Sequence, residues 1–533
     1  MWDFTDDVFI AKLAVFGHTC EIFCNFAFML NFTPLFRTWF LRRHLSALHA
    51  HEDARHTQCR ELARLLRAGI STETGHKWSF AGIRTPEEYS QLVPVRPYNE
   101  LRADVMRMIA GERDVLWPGI TRRFAQSSGT SDGKSKYIPV TDDSLRINHY
   151  RGGIDSVAHY LALNPSSRIL SGKAFILGGS FANEIASLPS GVKVGDLSAH
   201  LIECINPLAE RVRIPCRTTA LMADWSIKVE RLVEESLKAD VTNISGVPSW
   251  FLTVLRRVIE RAGATSIHEV WPHLEVFFHG GISFAPYRDQ YAAITDQSRM
   301  HYLETYNASE GFFAVADTAD PAAGMLLMLD AGIFYEFIPV GADGQSFPDV
   351  RYAWNVECGQ TYAMVITAPN GLWRYPTGDT VRIESVNPLR ITVAGRTKHY
   401  INAFGEELMV SNAERAMTMT CEATGAAVAN FTAAPVYTTE RTKGHHQWLI
   451  EFDRKPADID RFAALLDENL CRVNSDYQAK RSGNIFLAPL TVTVAPCGLF
   501  DKWLASTGKL GGQRKVPRLY PDRSIIEAML NKI

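Results

Sequence analysis

The run Ser127-Ser128-Gly129-Thr130-Ser131-Asp132-Gly133-Lys134-Ser135-Lys136 constrains this chain more than any other stretch, because it suits a loop that must face an anion. Glycines let the backbone turn its N–H groups toward one site, hydroxyls donate to phosphate oxygens, and the lysines supply positive charge. The nearest familiar pattern is the nucleotide-triphosphatase loop G-x-x-x-x-G-K-[ST], whose last three positions match Gly133-Lys134-Ser135. Its first glycine would fall at Ser128, and Gly129 is one residue too close. A serine- and glycine-rich turn with no ligand has the same composition, so the rest of the chain decides.

At 533 residues the chain exceeds one ordinary core, and two or more domains are expected, one of them large. Lys plus Arg total 56 against 58 Asp plus Glu, a net charge of −2 that argues against nucleic acid as the main partner. Nine scattered cysteines show no zinc-type spacing, so a reduced, cytoplasmic setting is expected. From Val8 to Leu41 the chain is largely apolar and aromatic, but His18, Glu21, Asn25 and Asn31 interrupt it and Pro34 breaks it. No uncharged window of about 18 apolar residues survives. N-terminal helices packed on the body are expected, with peripheral membrane contact as the alternative.

Short apolar runs alternate with helical patterns in the middle of the chain. Ala174–Leu177, Val276–Phe278 and His301–Thr305 read as buried strands, and Pro248–Arg261 reads as a helix closed by Gly263. That alternation predicts an α/β sheet. From Gly324 the texture changes to hairpin signals, one around Asp330-Ala331-Gly332 and one around Pro369-Asn370-Gly371. After Gly395-Arg396-Thr397-Lys398 the pattern restarts as helix 410–418, strands 426–431 and 447–452, helix 459–474 and strand 490–494. The fold class is therefore α/β: a large domain over 1–396 with a late β-rich part and an atypical helical extension at 1–45, and a small, mobile α+β domain over 397–533.

Three further motifs carry chemistry. In Tyr306-Asn307-Ala308-Ser309-Glu310-Gly311 an aromatic can stack a base, a hydroxyl can touch a phosphate and a carboxylate can hold a cation. Asp379 follows Gly378 in an expected tight turn, where a carboxylate can accept ribose hydroxyls. Arg396 sits at the domain junction, placed to reach a nucleotide or to act as a pivot.

Their order, with the double serine and Gly-Thr-Ser-x-Gly-x-x-Lys of the loop, resembles the adenylate-forming superfamily of acyl-CoA synthetases, peptide-synthetase adenylation domains and luciferases. The stretches Gly195–Ser198, Gly246–Trp250, Gly395–Glu407, Asn474–Tyr477 and Gln513–Arg518 resemble, more narrowly, the auxin-responsive Gretchen Hagen acyl-acid amido synthetases, from about residue 70 to the C-terminus. Gly311-Phe312-Phe313-Ala314 is closer to bacterial relatives.

That resemblance implies activation of a carboxylic acid with ATP and Mg2+, then transfer to an amine or amino acid. It implies that Ser127, Ser128, Thr130 and Lys134, with Gly129 and Ser131, hold the phosphates. Tyr306 would stack on adenine, Ser309 touch the α-phosphate, Glu310 ligate magnesium and Asp379 bind ribose. Lys515 would bridge the carboxylate and α-phosphate; Lys509, in a Gly-Lys context like that of CoA ligases, is the second candidate. The acid pocket is expected along 175–181, 247–251 and 280–284, apolar stretches that suit an aromatic or fatty acid. An acyl-CoA ligase, a nucleotide-triphosphatase switch and a non-catalytic nucleotide-binding or membrane-scaffold protein are the competing readings.

Overall fold

The computed structural model describes residues 31–127, 136–183, 185, 187–282, 284–340, 349–396, 400–438, 443–484, 487–506 and 516–531. Its strands Val241–Gly246 and Val276–Gly280 are buried over their first four residues on both faces, as strands covered by helices on both sides are. Phe278 and Val276 pack with Tyr160 and Leu161 of the helix Tyr150–Leu163. Phe277, pointing the other way, packs with Phe251 and Leu255 of the helix Pro248–Ala262.

Among the described residues the main sheet has 12 strands in two halves. The parallel half runs Arg213–Ile214, Lys173–Ile176, Val241–Gly246, Val276–Gly280 and His301–Ala308. The antiparallel half continues with Gly311–Val315, Met325–Leu327, Leu389–Arg396, Leu372–Val386, Thr361–Ala368, Phe334–Pro339 and Arg351–Tyr352. The hydroxyl-rich run joins Arg123–Ser127 to Lys136–Pro139, which pair with each other; Arg123–Ser127 also pairs with Lys193–Gly195, completing a small sheet. Past residue 400, Ala427–Val436, His445–Arg454 and Thr491–Val494 form a three-stranded sheet, packed with the helices Val410–Thr424 and Ile459–Val473.

The expected helix over 248–261 extends to Ala262 and ends on Gly263 at φ +65°, a left-handed cap. The turn at Pro369-Asn370-Gly371 is a hairpin, with Ala368 paired to Leu372 and Gly371 at φ +90°. The hairpin expected at Asp330-Ala331-Gly332 does not form. Met325–Leu327 pairs with Gly311–Val315 and Leu389–Arg396, while Phe334–Pro339 pairs with Thr361–Ala368 on the far side of the antiparallel half. Asp330 is held instead by Arg43 of the helix Thr33–His49, at 2.6 and 2.9 Å. Arg43 also holds buried Asp155 at 2.6 and 2.7 Å, which fastens the N-terminal helix to the helix Tyr150–Leu163. The remainder of the expected N-terminal helical extension, residues 1–30, lies outside the described residues.

The helix Tyr150–Leu163 lies close enough to the sheet that a Cβ on Gly152 would come within 2.2 Å of the Phe312 ring. Gly152→Ala is therefore expected to destabilise the protein by about 1–3 kcal/mol despite alanine's better helix propensity. A lower urea midpoint at unchanged helical content is the expected observation; a raised midpoint counts against this packing.

Candidate active site

The sheet changes from parallel to antiparallel at His301–Ala308, which pairs one way with Val276–Gly280 and the other with Gly311–Val315. Ala308 pairs with Gly311, leaving Ser309 and Glu310 as the two residues of the turn. They project from the carboxyl edge of the parallel half, where open α/β sheets take ligands. Glu310 is fixed in place: its backbone carbonyl accepts from Asn370 Nδ2 at 3.1 Å, and its Oε1 accepts from the Tyr375 hydroxyl at 3.3 Å. Lys136 Nζ donates to that same hydroxyl at 3.2 Å. The last residue of the hydroxyl-rich run and the turn carboxylate thus meet on one phenol.

Asp379 does not occupy a tight turn. It lies within the strand Leu372–Val386, where the register against Thr361–Ala368 slips between Ala363–Thr380 and Val365–Pro376. Gly378, at φ +88°, permits this bulge, and the bulge re-aims the side chain. Asp379 N–H donates to Thr377 Oγ1 at 3.2 Å, and its Oδ2 accepts from the Tyr306 hydroxyl at 2.5 Å. On a flat sheet these two residues, four strand spacings apart, would stand about 19 Å from each other. Their contact shows that the antiparallel half rolls over upon itself.

Beneath the turn, buried His149 donates from Nδ1 to Asn307 Oδ1 at 3.2 Å. Burial holds the ring neutral, its pKa pushed down to about 4, with the Asn307 bond opposing that shift in part. At the other side of the site Ser127 Oγ donates to Glu407 Oε2 at 3.3 Å, joining the start of the hydroxyl-rich run to the chain beyond residue 400.

Of the residues singled out by sequence, Tyr306 and Asp379 touch, and Glu310 is linked through Tyr375 to Lys136. Arg396 pairs through its backbone with Asp379. Ser128, Gly129, Thr130, Ser131, Lys134, Lys509 and Lys515 lie outside the described residues. Phe175 and Phe251, expected along an acid pocket, are instead fully buried core, their rings 5.2 Å apart at 79° and backed by Trp271. Sequence reading missed Lys136, Tyr375 and Glu407 as site residues. The first two were visible as the second lysine of the run and the leading tyrosine of Tyr375-Pro376-Thr377-Gly378-Asp379; Glu407 had no local signal. Among the described residues no group of three or more His, Cys, Asp or Glu is arranged to hold a metal ion. A single carboxylate such as Glu310 nevertheless fits Mg2+, which keeps several waters and is otherwise held by substrate phosphates.

The chain thus joins an α/β sheet bearing a switch-point carboxylate to a small α+β unit after it. The chain matches the GH3 family N-terminal domain over residues 46–300, the central domain over 326–396 and the C-terminal domain over 411–524. It belongs to the GH3 family. Indole-3-acetic acid-amido synthetase GH3.8 of Oryza sativa subsp. indica is 22% identical to it, the alignment covering 92% of each chain. Jasmonoyl--L-amino acid synthetase GH3.5 of Oryza sativa subsp. japonica is 23% identical over 62% of this chain and 68% of its own. Among solved structures, the acyl acid amido synthetase AtGH3.15, in complex with 2,4-DB, superposes with a TM-score of 0.59 at 19% identity, covering 92% of this chain and 96% of its own. A 2-hydroxyisobutyryl-CoA ligase superposes at 0.52 with 16% identity, covering 90% and 92%. Among the described residues no helix is long and apolar enough to cross a membrane.

The neutral His149 ties the site to pH. Its unfolded pKa is about 6.5 and its folded pKa about 4, so the unfolded state binds the extra proton between these values. The stability it contributes is complete above about pH 6.5, falls as pH drops toward 4 and levels off below that. His149→Gln is expected to flatten this slope, so that the stability gap between wild type and variant shrinks by on the order of 3 kcal/mol from pH 7 to pH 4. Urea unfolding at several pH values measures it, and a constant gap would contradict the assignment.

Proposed function

We propose that this protein activates a carboxylic acid with ATP as an acyl-adenylate and then passes the acyl group to an amine, an amino acid, releasing AMP and pyrophosphate. The observation that carries the proposal is the convergence of Lys136, Tyr375 and Glu310 at the sheet's switch point, in a chain of the GH3 family. The relatives' names supply the reaction class, acid-amido synthetase.

In this reading residues 1–396 bind ATP and acid, and residues 397–533 act as a mobile unit that brings Lys515 to the reacting atoms. Ser127, Ser128, Gly129, Thr130, Ser131 and Lys134 cradle the phosphates. Tyr306 lies against adenine, Ser309 meets the α-phosphate, Asp379 takes the ribose hydroxyls and Arg396 steadies the junction. Glu310 holds Mg2+, which offsets phosphate charge when bound. The nine scattered cysteines suit a reducing cytoplasm.

The first step brings two anions together, a carboxylate and a triphosphate. Lys515 and the loop N–H groups offset that repulsion in a site where water is scarce, and such oriented charge is worth about 3–4 kcal/mol of barrier. The carboxylate oxygen bonds the α-phosphorus as the bond to pyrophosphate breaks. In the second step the amine nitrogen bonds the acyl carbon as that carbon's bond to the phosphate oxygen breaks, AMP leaves and the nitrogen's proton passes to solvent.

With Mg2+, ATP and a panel of aromatic and fatty acids, the protein is expected to form AMP and pyrophosphate, and hydroxamates when hydroxylamine is the acceptor. Formation of ADP and phosphate would overturn the proposal. Lys515→Ala is expected to lower acid-dependent pyrophosphate release by about 100-fold or more while a supplied acyl-adenylate is still converted to amide. Lys509→Ala is expected to leave both half-reactions largely intact. If Lys509→Ala is the variant that loses adenylation, the catalytic lysine is Lys509.

A further inference from the structure

Just past residue 400 two adjacent carboxylates are set to different tasks. Glu406 is fully buried, accepts from the N–H groups of Ala403 and Phe404 at 3.2 and 2.6 Å, and faces His446 Nε2 at 2.7 Å. Glu407 instead reaches back to the strand Arg123–Ser127, where its Oε2 accepts from Ser127 Oγ at 3.3 Å. Its backbone is bent to make that reach. The φ of Glu407 is +39°, a left-handed value that a residue with a side chain adopts only at a cost. Neighbouring amides hold the bend: the Glu407 N–H donates to Asn402 Oδ1 at 3.2 Å, and Asn474 Nδ2 donates to the carbonyls of Glu406 and Glu407 at 3.1 and 3.3 Å. Asn402 Nδ2 in turn donates to the carbonyl of Gly281 at 3.2 Å, which ties the turn to the carboxyl end of the strand Val276–Gly280.

Ser127 is a demanding place for a carboxylate in a protein that takes ATP. It opens the hydroxyl-rich run and stands opposite Lys136 in the register of the small sheet, so the two Cα atoms lie about 5 Å apart. Lys136 donates to the Tyr375 hydroxyl, which donates to Glu310. Ser127 therefore sits beside the group that links the run to the turn carboxylate. A triphosphate held by this hydroxyl brings negative charge to a donor that Glu407 already occupies with negative charge of its own. Two anions cannot share the single proton of one hydroxyl, and like charges at that range repel. A lone phosphate, which the acid-activating reading gives to Ser309, makes no such demand on Ser127.

We propose that Glu407 makes the nucleotide site choose by phosphate count: while it holds Ser127, an adenylate or AMP is accepted and ATP is opposed. ATP binds by displacing the carboxylate from Ser127, and departure of pyrophosphate lets the contact form again over the adenylate. Because Glu407 belongs to the chain beyond residue 400, the charge on the bound nucleotide then biases how that part of the chain meets the sheet. The proposal rests on the acid-activating reading above and deepens it by naming a residue that sets which nucleotide the site prefers.

The experiment measures the binding of ATP with Mg2+, and of AMP, to the full chain by calorimetry, in wild type and in Glu407→Gln. The glutamine keeps an oxygen that can accept from Ser127 and removes the charge. Glu407→Gln is expected to bind ATP about tenfold more tightly than wild type, with AMP changed by less than about twofold. The gap in ATP affinity is expected to close as salt rises from about 0.05 M to about 0.5 M, because ions screen a charge repulsion and leave a packing change untouched. Unchanged or weaker ATP binding in Glu407→Gln would overturn the proposal, as would equal tightening of ATP and AMP, or a gap indifferent to salt. Should Glu407→Gln fail to fold, Glu407→Asn carries the same comparison, since asparagine is neutral and tolerates the left-handed backbone better. If wild type binds neither nucleotide, the acid-activating reading falls and takes this proposal with it; if both bind and Glu407→Gln matches wild type, this proposal alone falls.

Discussion

Burial of one face of the antiparallel half closes the sheet, the hydrogen bond from Tyr306 to Asp379 pins that closure, and the rest of the site follows from it. A long antiparallel sheet twists and curls, but nothing in strand geometry alone decides how far. Here the inner face carries Tyr306, Phe313, Leu327, Tyr335, Phe337, Tyr362, Val381 and Ile391, all buried together. Burying that face rolls the sheet until the strand Leu372–Val386 reaches the turn at Ser309–Glu310. Two phenols then bind carboxylates across the roll, Tyr306 on Asp379 and Tyr375 on Glu310. The carboxylates of the site are positioned by apolar burial first and by hydrogen bonds second.

The chain beyond residue 400 is held to the sheet in a different way. Tyr287 donates its hydroxyl to the carbonyl of Ala403 at 2.7 Å, and Trp250 Nε1 and Ser249 Oγ both donate to the carbonyl of Phe404 at 3.3 and 3.4 Å. These contacts read backbone rather than side chains, and they surround a segment whose Gly405 and Glu407 both have positive φ. Neutral bonds to carbonyls are individually worth about 1 kcal/mol.

What the sequence made legible was whatever is decided within a few residues. Pro248 and Gly263 bracket a helix because proline fits its first turn and glycine its left-handed cap, and Pro369-Asn370-Gly371 turns because glycine there tolerates positive φ. The motif residues Tyr306 and Glu310 were found for the same reason. Asp379 was singled out for a tight turn after Gly378, yet it lies in a strand whose register slip depends on the neighbouring strand Thr361–Ala368. Asp330-Ala331-Gly332 looked identical in kind and is not a hairpin, because strand partners and Arg43, far away in the chain, decide its path. Phe175 and Phe251 were misplaced because an apolar ring carries no mark that separates core from pocket wall. Lys136 and Tyr375 became site residues only once the roll brought them to Glu310, and Glu407 met Ser127 only through the junction.

Arg43 lies before residue 46, where the match to the family N-terminal domain begins. Its guanidinium is nonetheless the nearer of two counterions, the other being Arg151, of Asp155 and Asp330, carboxylates that belong to the shared body of the fold. Stripping one partner from a buried ion pair costs about 3–5 kcal/mol, so a version of this protein trimmed to its family boundaries would start with a damaged interior. The helix Thr33–His49 is thus part of the autonomous folding unit, whose edge is set by electrostatics and not by kinship.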